Sequence, residues 1–269
     1  MPDDFLQSDE FAKIAKEFIP DELQDHKVRH RAYTEELRDY SRVAEQIRAA
    51  CEREVIDRIT AGTDRFIARL DRTSSLTKSP RSIDDKIFRF LSGKTVAGQT
   101  IKTMLKRSLK GKKDEKEFFL KTFFRDMHEV MNDLARFRII GNFLSDVHAI
   151  SDRFGEVDWA AHRIQHKLLH HEDRIVHDRW VTGAGGHRAI HIPMAVTIND
   201  HQVHVEVQIM TLLETGWDAK SHMYYELTRR EEGNLDQETK LKIQAMSDML
   251  YVADALFNDL LSKFEEGAT

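Results

Sequence analysis

Residues 189–209 read AIHIPMAVTINDHQVHVEVQI, and this stretch decides the fold class. It contains two runs, 189–198 and 203–209, that are rich in β-branched residues and partly alternate between apolar and polar side chains, as β-strands do. Asn199-Asp200 between the runs is typical of the tight turn of a hairpin. The sequence therefore predicts two antiparallel strands in this region.

Helical patterns lie on both sides of this hairpin, together with one earlier strand at Phe137-Arg138-Ile139-Ile140. The predicted helices are a long one from Asp21 to about Ile59, a short one that begins at Ser82, one from Ser145-Asp146 through Phe154, and a set from Leu212 to Phe264 that is interrupted around Gly233-Asn234. The order is helices, strand, helix, three strands, helices. It predicts an α+β fold with a mixed β-sheet of about four to five strands flanked by helices.

This order also predicts a division of the chain into three parts. Residues 1–72 are expected to form a helical N-terminal extension. Residues 73–230 are expected to hold the sheet and every candidate functional residue. Residues 231–269 are expected to form C-terminal helices that pack on that domain.

The composition is typical of a folded protein of a reducing compartment. Of the 269 residues 41% are hydrophobic, which is enough to bury a substantial core. The 41 Lys and Arg residues nearly balance 46 Asp and Glu residues, so the overall charge does not indicate a nucleic-acid partner. Cys51 is the only cysteine, which favours the cytoplasm. The acidic N-terminus and the lack of an apolar run of about 18 residues predict no membrane partner.

Three segments place charged groups in strand-like or strand-flanking sequence, where an unpaired charge is costly. The charged and polar residues are Asp133, Arg136 and Arg138 in the first segment, His187, Arg188 and His191 in the second, and Glu206 and Gln208 in the third. Each segment taken alone is also compatible with a purely structural role. Asp133 would then cap a strand or pair with Arg138, and Glu206 would pair with Arg188 across the hairpin.

Taken together, and with a segment further upstream, these motifs resemble the synthetase domain of the RelA/SpoT family, which makes the alarmone (p)ppGpp. The upstream segment is Lys78-Ser79-Pro80-Arg81-Ser82-Ile83-Asp84-Asp85-Lys86, and the others are Asp133 through Ile139, Glu206 through Thr211, and Trp217 with His222. The resemblance runs from about Lys78 to Tyr225. In size the chain is similar to the small, stand-alone members of the family.

The resemblance implies an ATP-dependent pyrophosphokinase that transfers the β,γ-pyrophosphate of ATP to the ribose 3′-hydroxyl of GDP or GTP and releases AMP. It implies that Asp133 and Glu206 are catalytic and bind Mg²⁺, with Glu206 also accepting the hydroxyl proton. The implied ATP contacts are Lys78, Lys86 and Arg138, and the acceptor contacts are His187, Arg188, His191 and Gln208. Such a reaction needs neutralisation of phosphate charge more than covalent help.

Departures from the family pattern leave other acceptors open. The family's Lys-x-Asn-Gly-Tyr corresponds here to Gly183 through His187, and Leu76 and Met210 stand where arginines are usual. Seven basic residues lie between Lys102 and Lys116. The first alternative is a toxin-type relative that modifies the tRNA 3′ end or an adenine nucleotide and has an antitoxin protein as partner. The second is a catalytically weak nucleotide-binding module, and self-association into a homo-oligomer is a further expectation.

Overall fold

A computed structural model describes Lys13 and residues 16–92, 96–109, 116–127, 131–175, 187–198, 201–220 and 237–267. Within these ranges, none of the helices combines the length and the apolar character needed to cross a membrane. Several predicted features lie outside the described residues. They are the turn at Asn199-Asp200, the interruption at Gly233-Asn234, His222, the loop 183–186 and residues 110–115 of the basic segment 102–116.

One mixed β-sheet of six strands forms the centre of the molecule. Its strands are β1 Ala68–Leu70, β2 Ala135–Gly141, β3 Gln165–Leu168, β4 Glu172–Asp173, β5 Ile190–Ile198 and β6 His201–Thr211. The strand order is β1-β2-β6-β5-β3, and β4 also pairs with β5. Strands β2 and β6 are parallel, whereas the other pairs are antiparallel. The α+β prediction is therefore confirmed, as is the pairing of the two strands predicted at 189–198 and 203–209.

The strand register places polar side chains on one face of the sheet. Arg136 lies opposite Glu206 and Arg138 opposite Gln208 in the β2–β6 pair, and His191 lies opposite Gln208 in the β5–β6 pair. Residues directly opposite each other project to the same side, so these five side chains share what we call the polar face. The other face is apolar and belongs to the core, with Phe137, Ile139, Ile190, Ile192, Met194, Val205, Val207 and Ile209 all buried.

Eight α-helices with four or more consecutive described residues surround the sheet within the described ranges. They are α1 His26–Cys51, α2 Arg58–Ala61, α3 Pro80–Ser92, α4 Val96–Leu109, α5 Lys116–Met127, α6 Leu144–Gly155, α7 at residues 212–220 and α8 Gln237–Gly267. Between α1 and α2 the chain forms a π-helical segment, Glu52–Asp57. Helices α1 and α6 contact β2 and β6, and their buried apolar residues join the same core as the apolar sheet face.

The N-terminal helix α1 also fixes the position of α3. The side chain of Arg29 is fully buried and its guanidinium contacts the Asp84 carboxylate on α3, with the Nη2–Oδ2 distance 2.7 Å. The Nη1 atom of Arg29 donates to the backbone oxygens of Leu23 and Gln24. His30 Nε2 lies 2.8 Å from the same oxygen, Asp84 Oδ2. Because the charge of Arg29 is completely enclosed by acceptors, this ion pair joins two helices through the core.

The structure differs from the sequence prediction in three respects. The long helix begins at His26, where the Asp25 side chain accepts from the backbone N–H groups of Lys27 and Val28, and not at Asp21. Helix α3 begins at Pro80, not at Ser82, because the Ser79 hydroxyl caps it and proline suits the first helical position. The three short strands β1, β3 and β4 were not predicted. The division into parts 1–72, 73–230 and 231–269 remains a prediction.

Candidate active site

Asp133 lies at the entrance of β2 between two lysines. Lys78 Nζ is 2.6 Å from Asp133 Oδ2, and Lys86 Nζ is 3.1 Å from Oδ1. Backbone contacts produce this arrangement, since Lys78 N donates to Leu134 O at 2.9 Å and so aligns the segment before α3 with the start of β2. Lys86 comes from α3 itself. The two lysines of the upstream motif and the first predicted carboxylate therefore form one cluster.

The lysines keep Asp133 ionised in a partly buried position. Burial acts to raise the pKa of Asp133, but the ammonium groups of Lys78 and Lys86 outweigh burial and hold that pKa well below its usual range. Burial also lowers the pKa of Lys78, and Asp133 offsets this only in part. The contacts do not support the alternative in which Asp133 has a purely structural role and pairs with Arg138. Asp133 contacts lysines, and its nearest guanidinium is that of Arg136, 4.0 Å away.

Glu206 on β6 is the second carboxylate of the polar face. Its Oε2 accepts from Gln208 Nε2 at 2.6 Å, and its Oε1 lies 3.2 Å from His191 Nδ1. Burial acts to raise the pKa of Glu206, and its contacts with His191 and Gln208 outweigh this, so the pKa is lowered although the nearby charge of Asp133 acts against it. Glu206 is thus ionised at neutral pH and does not pair with Arg188, as the structural alternative required.

Arg138 and His187 connect this carboxylate to α7. The Arg138 Nε atom donates to Gln208 Oε1 at 3.1 Å, and its Nη2 atom donates to Asp218 Oδ2 at 2.5 Å. His187 Nδ1 lies 3.3 Å from the other oxygen of Asp218. The ring of His187 meets that of His191 edge to face, with centroids 5.4 Å apart. Six side chains therefore form a closed ring of contacts, which runs through His187, Asp218, Arg138, Gln208, Glu206 and His191.

Two imidazole nitrogens among these six side chains point to a ligand. His187 Nδ1 and His191 Nε2 are buried and have no hydrogen-bond partner among the described residues. A carboxylate can only accept, so the contact with Glu206 places a proton on Nδ1 of His191. Buried polar atoms are normally paired. A polar group of a bound molecule would satisfy His191 Nε2.

Arg188 lies apart from the other predicted acceptor residues. Its Nη1 atom donates to Ile175 O, and its Nη2 atom donates to Asp248 Oδ1 on α8 at 2.8 Å. Its guanidinium also stacks over the Tyr251 ring, 4.6 Å from the centroid. These contacts attach α8 to the residues before β5. The structure thus brings together eight of the nine predicted site residues, and Arg188 is the exception.

The site contains residues that the sequence did not single out. Asp218 is the most important, because it bridges Arg138 and His187. Arg136, which was named from the sequence in the same segment as Asp133 but was not assigned a role, adds a further positive charge near Asp133. Next to Asp133 in the chain, the Asn132 side-chain oxygen lies 3.2 Å from His204 Nδ1 on β6. The alternation of β2 placed Arg136 on the correct face, but no local signal connects Asp218 with either of its partners.

Two carboxylates on neighbouring strands are a donor set that suits a magnesium ion bound together with a polyphosphate. Mg²⁺ prefers oxygen ligands and commonly takes one or two carboxylates plus substrate phosphates. Within the described residues, no group of three or more histidine, cysteine or acidic residues could hold a metal ion alone. Asp133 and Glu206 are both ionised, so they fit a magnesium ion whose remaining ligands come from the nucleotide.

Glu214 on α7 is a buried carboxylate outside the ring. Both of its side-chain oxygens lack a hydrogen-bond partner among the described residues. Burial raises the pKa of Glu214 to about 8, although the charge of Arg188 acts in the opposite direction. Glu214 therefore carries a proton in the folded protein at neutral pH, whereas it is ionised in the unfolded chain.

We expect Glu214→Gln to be more stable than the parent protein at pH 9 and nearly equal at pH 5. The pKa of Glu214 in the folded protein, about 8, exceeds the ordinary value of 4.5. Between pH 4.5 and pH 8 the folded state therefore binds more protons than the unfolded state, and the parent protein loses stability as the pH rises through this range. A non-titrating glutamine avoids that loss, which is on the order of 5 kcal/mol for a pKa raised from 4.5 to about 8. Thermal unfolding of both proteins from pH 5 to 9 measures the difference, with the exposed Glu238→Gln as control. A pH-independent difference would contradict the assignment.

Comparisons with known proteins define the fold. No protein-family model and no curated protein sequence matches the chain. Solved structures do match. Small alarmone synthetase 1 from Bacillus subtilis has a TM-score of 0.52 and 16% sequence identity, with 87% of this chain and 98% of that chain covered. The protein smu.1046c from Streptococcus mutans UA159 has a TM-score of 0.55 and 17% identity, with coverages of 87% and 97%. Small alarmone synthetase 2 from Bacillus subtilis has a TM-score of 0.54 and 14% identity, with coverages of 86% and 98%.

These likenesses extend over most of this chain and nearly the whole of each matched chain. The chain therefore has the small alarmone synthetase fold, and the resemblance found in the sequence is confirmed at the level of the fold.

Proposed function

We propose that this protein is an ATP-dependent pyrophosphokinase that transfers the β,γ-pyrophosphate of ATP to the ribose 3′-hydroxyl of GDP or GTP. The products would be AMP and a guanosine 3′-diphosphate, the alarmone (p)ppGpp. The observation that carries the proposal is the convergence of two ionised carboxylates, Asp133 and Glu206, with three cations, Lys78, Lys86 and Arg138, on one face of the sheet. Small alarmone synthetase 1 from Bacillus subtilis, which has this fold, is bound to its product pppGpp in one of the matching structures.

The lysine cluster is suited to the donor polyphosphate. Lys78 and Lys86 hold one carboxylate between them, so an incoming phosphate would find two ammonium groups already positioned and partly desolvated. Charge-assisted contacts are strongest in such surroundings. Arg138 would contribute a third cation from the neighbouring part of the polar face. Its partners Gln208 and Asp218 fix the guanidinium before the nucleotide arrives.

Glu206 is placed to act as the general base. In the reaction the 3′-oxygen forms a bond to the β-phosphorus, the bond from that phosphorus to the α,β-bridging oxygen breaks, and AMP leaves with this oxygen. The hydroxyl proton would pass to Glu206, which is ionised and whose orientation is fixed by Gln208 and His191. His191 Nε2, a buried nitrogen without a hydrogen-bond partner among the described residues, would bind a polar group of the acceptor nucleotide.

A magnesium ion held by Asp133 and Glu206 would supply charge neutralisation on the β- and γ-phosphate oxygens. The contacts of the carboxylates are compatible with this role. Asp133 and Glu206 would hold the ion, and Lys78 and Lys86 would contact the phosphates. Glu206 would keep its contact with Gln208.

The acceptor side is assigned to the two histidines and Gln208. The imidazole rings of His187 and His191 lie edge to face, and His187 also contacts Asp218 on α7. A flat imidazole can stack on a nucleobase. Asp218 contacts both His187 and Arg138, so it links the acceptor side with the donor side. Arg188 would act indirectly, by attaching α8 to the residues before β5.

The proposal is tested by following label from ATP carrying ³²P in the γ-phosphate. The purified protein is incubated with Mg²⁺ and labelled ATP, and GDP, GTP, ADP and deacylated tRNA are offered in turn. We expect label on GDP or GTP and release of one AMP for each labelled product. Label on tRNA or ADP alone would contradict GDP and GTP as the acceptors and would support the toxin-type alternative. Label on no acceptor, with ATP still bound in a calorimetric titration, would favour the nucleotide-binding module.

A further inference from the structure

Arg136 on β2 places a guanidinium beside both carboxylates of the candidate site. In the strand register it lies directly opposite Glu206 on β6, and its Nη1 atom is 4.0 Å from Asp133 Oδ2. Opposite charges at facing positions of neighbouring strands often pair. Here Glu206 instead contacts His191 and Gln208. The guanidinium of Arg136 therefore lies near two carboxylates without a hydrogen bond to either.

The N–H donors of this guanidinium are accessible to a ligand. Within the described part of the chain they make no hydrogen bond, since 4.0 Å to Asp133 is too long for one. Arg138 on the same face differs, because two of its nitrogens already donate to side-chain acceptors. The backbone of Arg136 is fixed, since its N–H donates to Leu76 O at 2.9 Å. An arginine that is anchored in this way, and that keeps its donors, is suited to bind an anion.

Three cations surround one carboxylate at the start of β2. Lys78 Nζ and Lys86 Nζ lie 2.6 and 3.1 Å from the oxygens of Asp133, and Arg136 is the third cation. Three positive charges against one negative charge leave an excess of two. These four side chains are only 12–28% exposed, so water compensates the excess incompletely. The cluster therefore favours an anion that carries at least two negative charges.

We propose that Arg136 binds the pyrophosphate part of ATP, its β- and γ-phosphates, together with Lys78 and Lys86. The assignment rests on the proposed function, in which ATP is the donor. A guanidinium can donate two parallel hydrogen bonds to a phosphate, whereas an ammonium group acts as a point charge. Arg136 would thus orient the pyrophosphate, and the lysines would supply charge. Because Arg136 lies opposite Glu206, it would hold the transferred group beside the proposed general base.

The same contact would distinguish the donor from the product that leaves. AMP lacks the β- and γ-phosphates, so it would make no contact with Arg136. The residue would therefore strengthen the binding of ATP without strengthening the binding of AMP.

Calorimetric titration with ATP and with AMP, in the presence of Mg²⁺ and without an acceptor, tests the contact. In Arg136→Met the affinity for ATP should fall about 10–100-fold, because charge-assisted hydrogen bonds are lost, while the affinity for AMP should change less than about twofold. Arg136→Lys keeps the charge but not the planar fork and should lie between the two. The control Arg42→Met removes an exposed arginine that pairs with Asp39 on α1 and should equal the parent protein.

Two results would overturn the proposal: an unchanged ATP affinity in Arg136→Met, or equal losses of affinity for ATP and AMP. The thermal unfolding midpoint shows whether each variant is folded. Should Arg136→Met not fold, Arg136→Lys alone decides, and an unchanged ATP affinity in that variant would count against the proposal.

Pyrophosphate transfer separates this inference from the proposed function. With labelled ATP and GDP, Arg136→Met should raise the KM for ATP by the same factor and leave the KM for GDP within about twofold. A parent protein that labels no acceptor would refute the proposed reaction, while the titrations would still decide the role of Arg136. If the parent protein labels GDP and Arg136→Met keeps the same KM for ATP, the reaction stands and Arg136 has no part in it.

Discussion

Glu206→Gln is expected to lower kcat for pyrophosphate transfer by about 10²–10⁴-fold, which is the usual contribution of a positioned general base. Glutamine keeps the shape of the side chain but cannot accept a proton or bring a negative charge to a magnesium ion. The fold should be unaffected, because the amide oxygen can still accept from Gln208 Nε2, as Glu206 Oε2 does now at 2.6 Å. The measurement is the initial rate of AMP release with labelled ATP and GDP, together with the thermal unfolding midpoint.

Two comparisons make this result specific. Glu117→Gln removes an exposed carboxylate that pairs with Lys121 on α5, and its kcat should equal that of the parent protein. ATP binding by Glu206→Gln, measured by calorimetry without Mg²⁺, should stay within about threefold, because Lys78, Lys86 and Arg138 are unchanged. A Glu206→Gln enzyme with full kcat would remove Glu206 from the mechanism.

Arg29→Met is expected to destabilise the fold by about 3–5 kcal/mol, which is the usual cost of leaving one partner of a buried ion pair alone. The Arg29 and Asp84 side chains are 0% and 1% exposed, so the carboxylate that remains would keep only the contact with His30 Nε2 and could not be solvated by water. Asp84 and Lys86 lie on the same helix, α3, so the loss should also raise the KM for ATP in protein that is still folded. Urea unfolding at neutral pH measures the free-energy difference.

A neighbouring arginine provides the control. Arg31 pairs with Glu35 at 3.6 Å on the exposed side of the same helix, and Arg31→Met should cost less than about 1 kcal/mol. Arg29→Met/Asp84→Leu should recover part of the lost stability, because it removes the uncompensated charge. If Arg29→Met and Arg31→Met were equally stable, the buried pair would have no special structural role.

The sequence predicted those helices and strands that have a clear pattern of apolar and polar residues within the segment itself. The alternation at 203–209 identified the face of β6 that carries Glu206 and Gln208, and the register places Arg136 and Arg138 of β2 beside them. Short strands were missed because they lack this signal. Ala68–Leu70 has three residues and is a strand only because β2 offers it an edge.

The same distinction applies to the site. Asp133, Lys78 and Lys86 were recognised from motifs, and the structure brings them into contact. Asp218 was not recognised, since it is separated from Arg138 by 80 residues and meets it only because α7 folds back over the polar face. Arg188 has the spacing of a site residue, but packing turns its guanidinium towards α8. Contacts of this kind depend on tertiary structure, and side-chain type alone does not reveal them.

The parallel pairing of β2 with β6 has a consequence for the order of folding. Adjacent parallel strands cannot be joined by a tight turn, and here α6 and three further strands intervene in the chain between them. Arg138 and Gln208 touch although they are 70 residues apart, and such long-range contacts form slowly. During synthesis, the lysines and Asp133 emerge well before Glu206. The polar face is therefore complete only when the β5–β6 hairpin docks on β2.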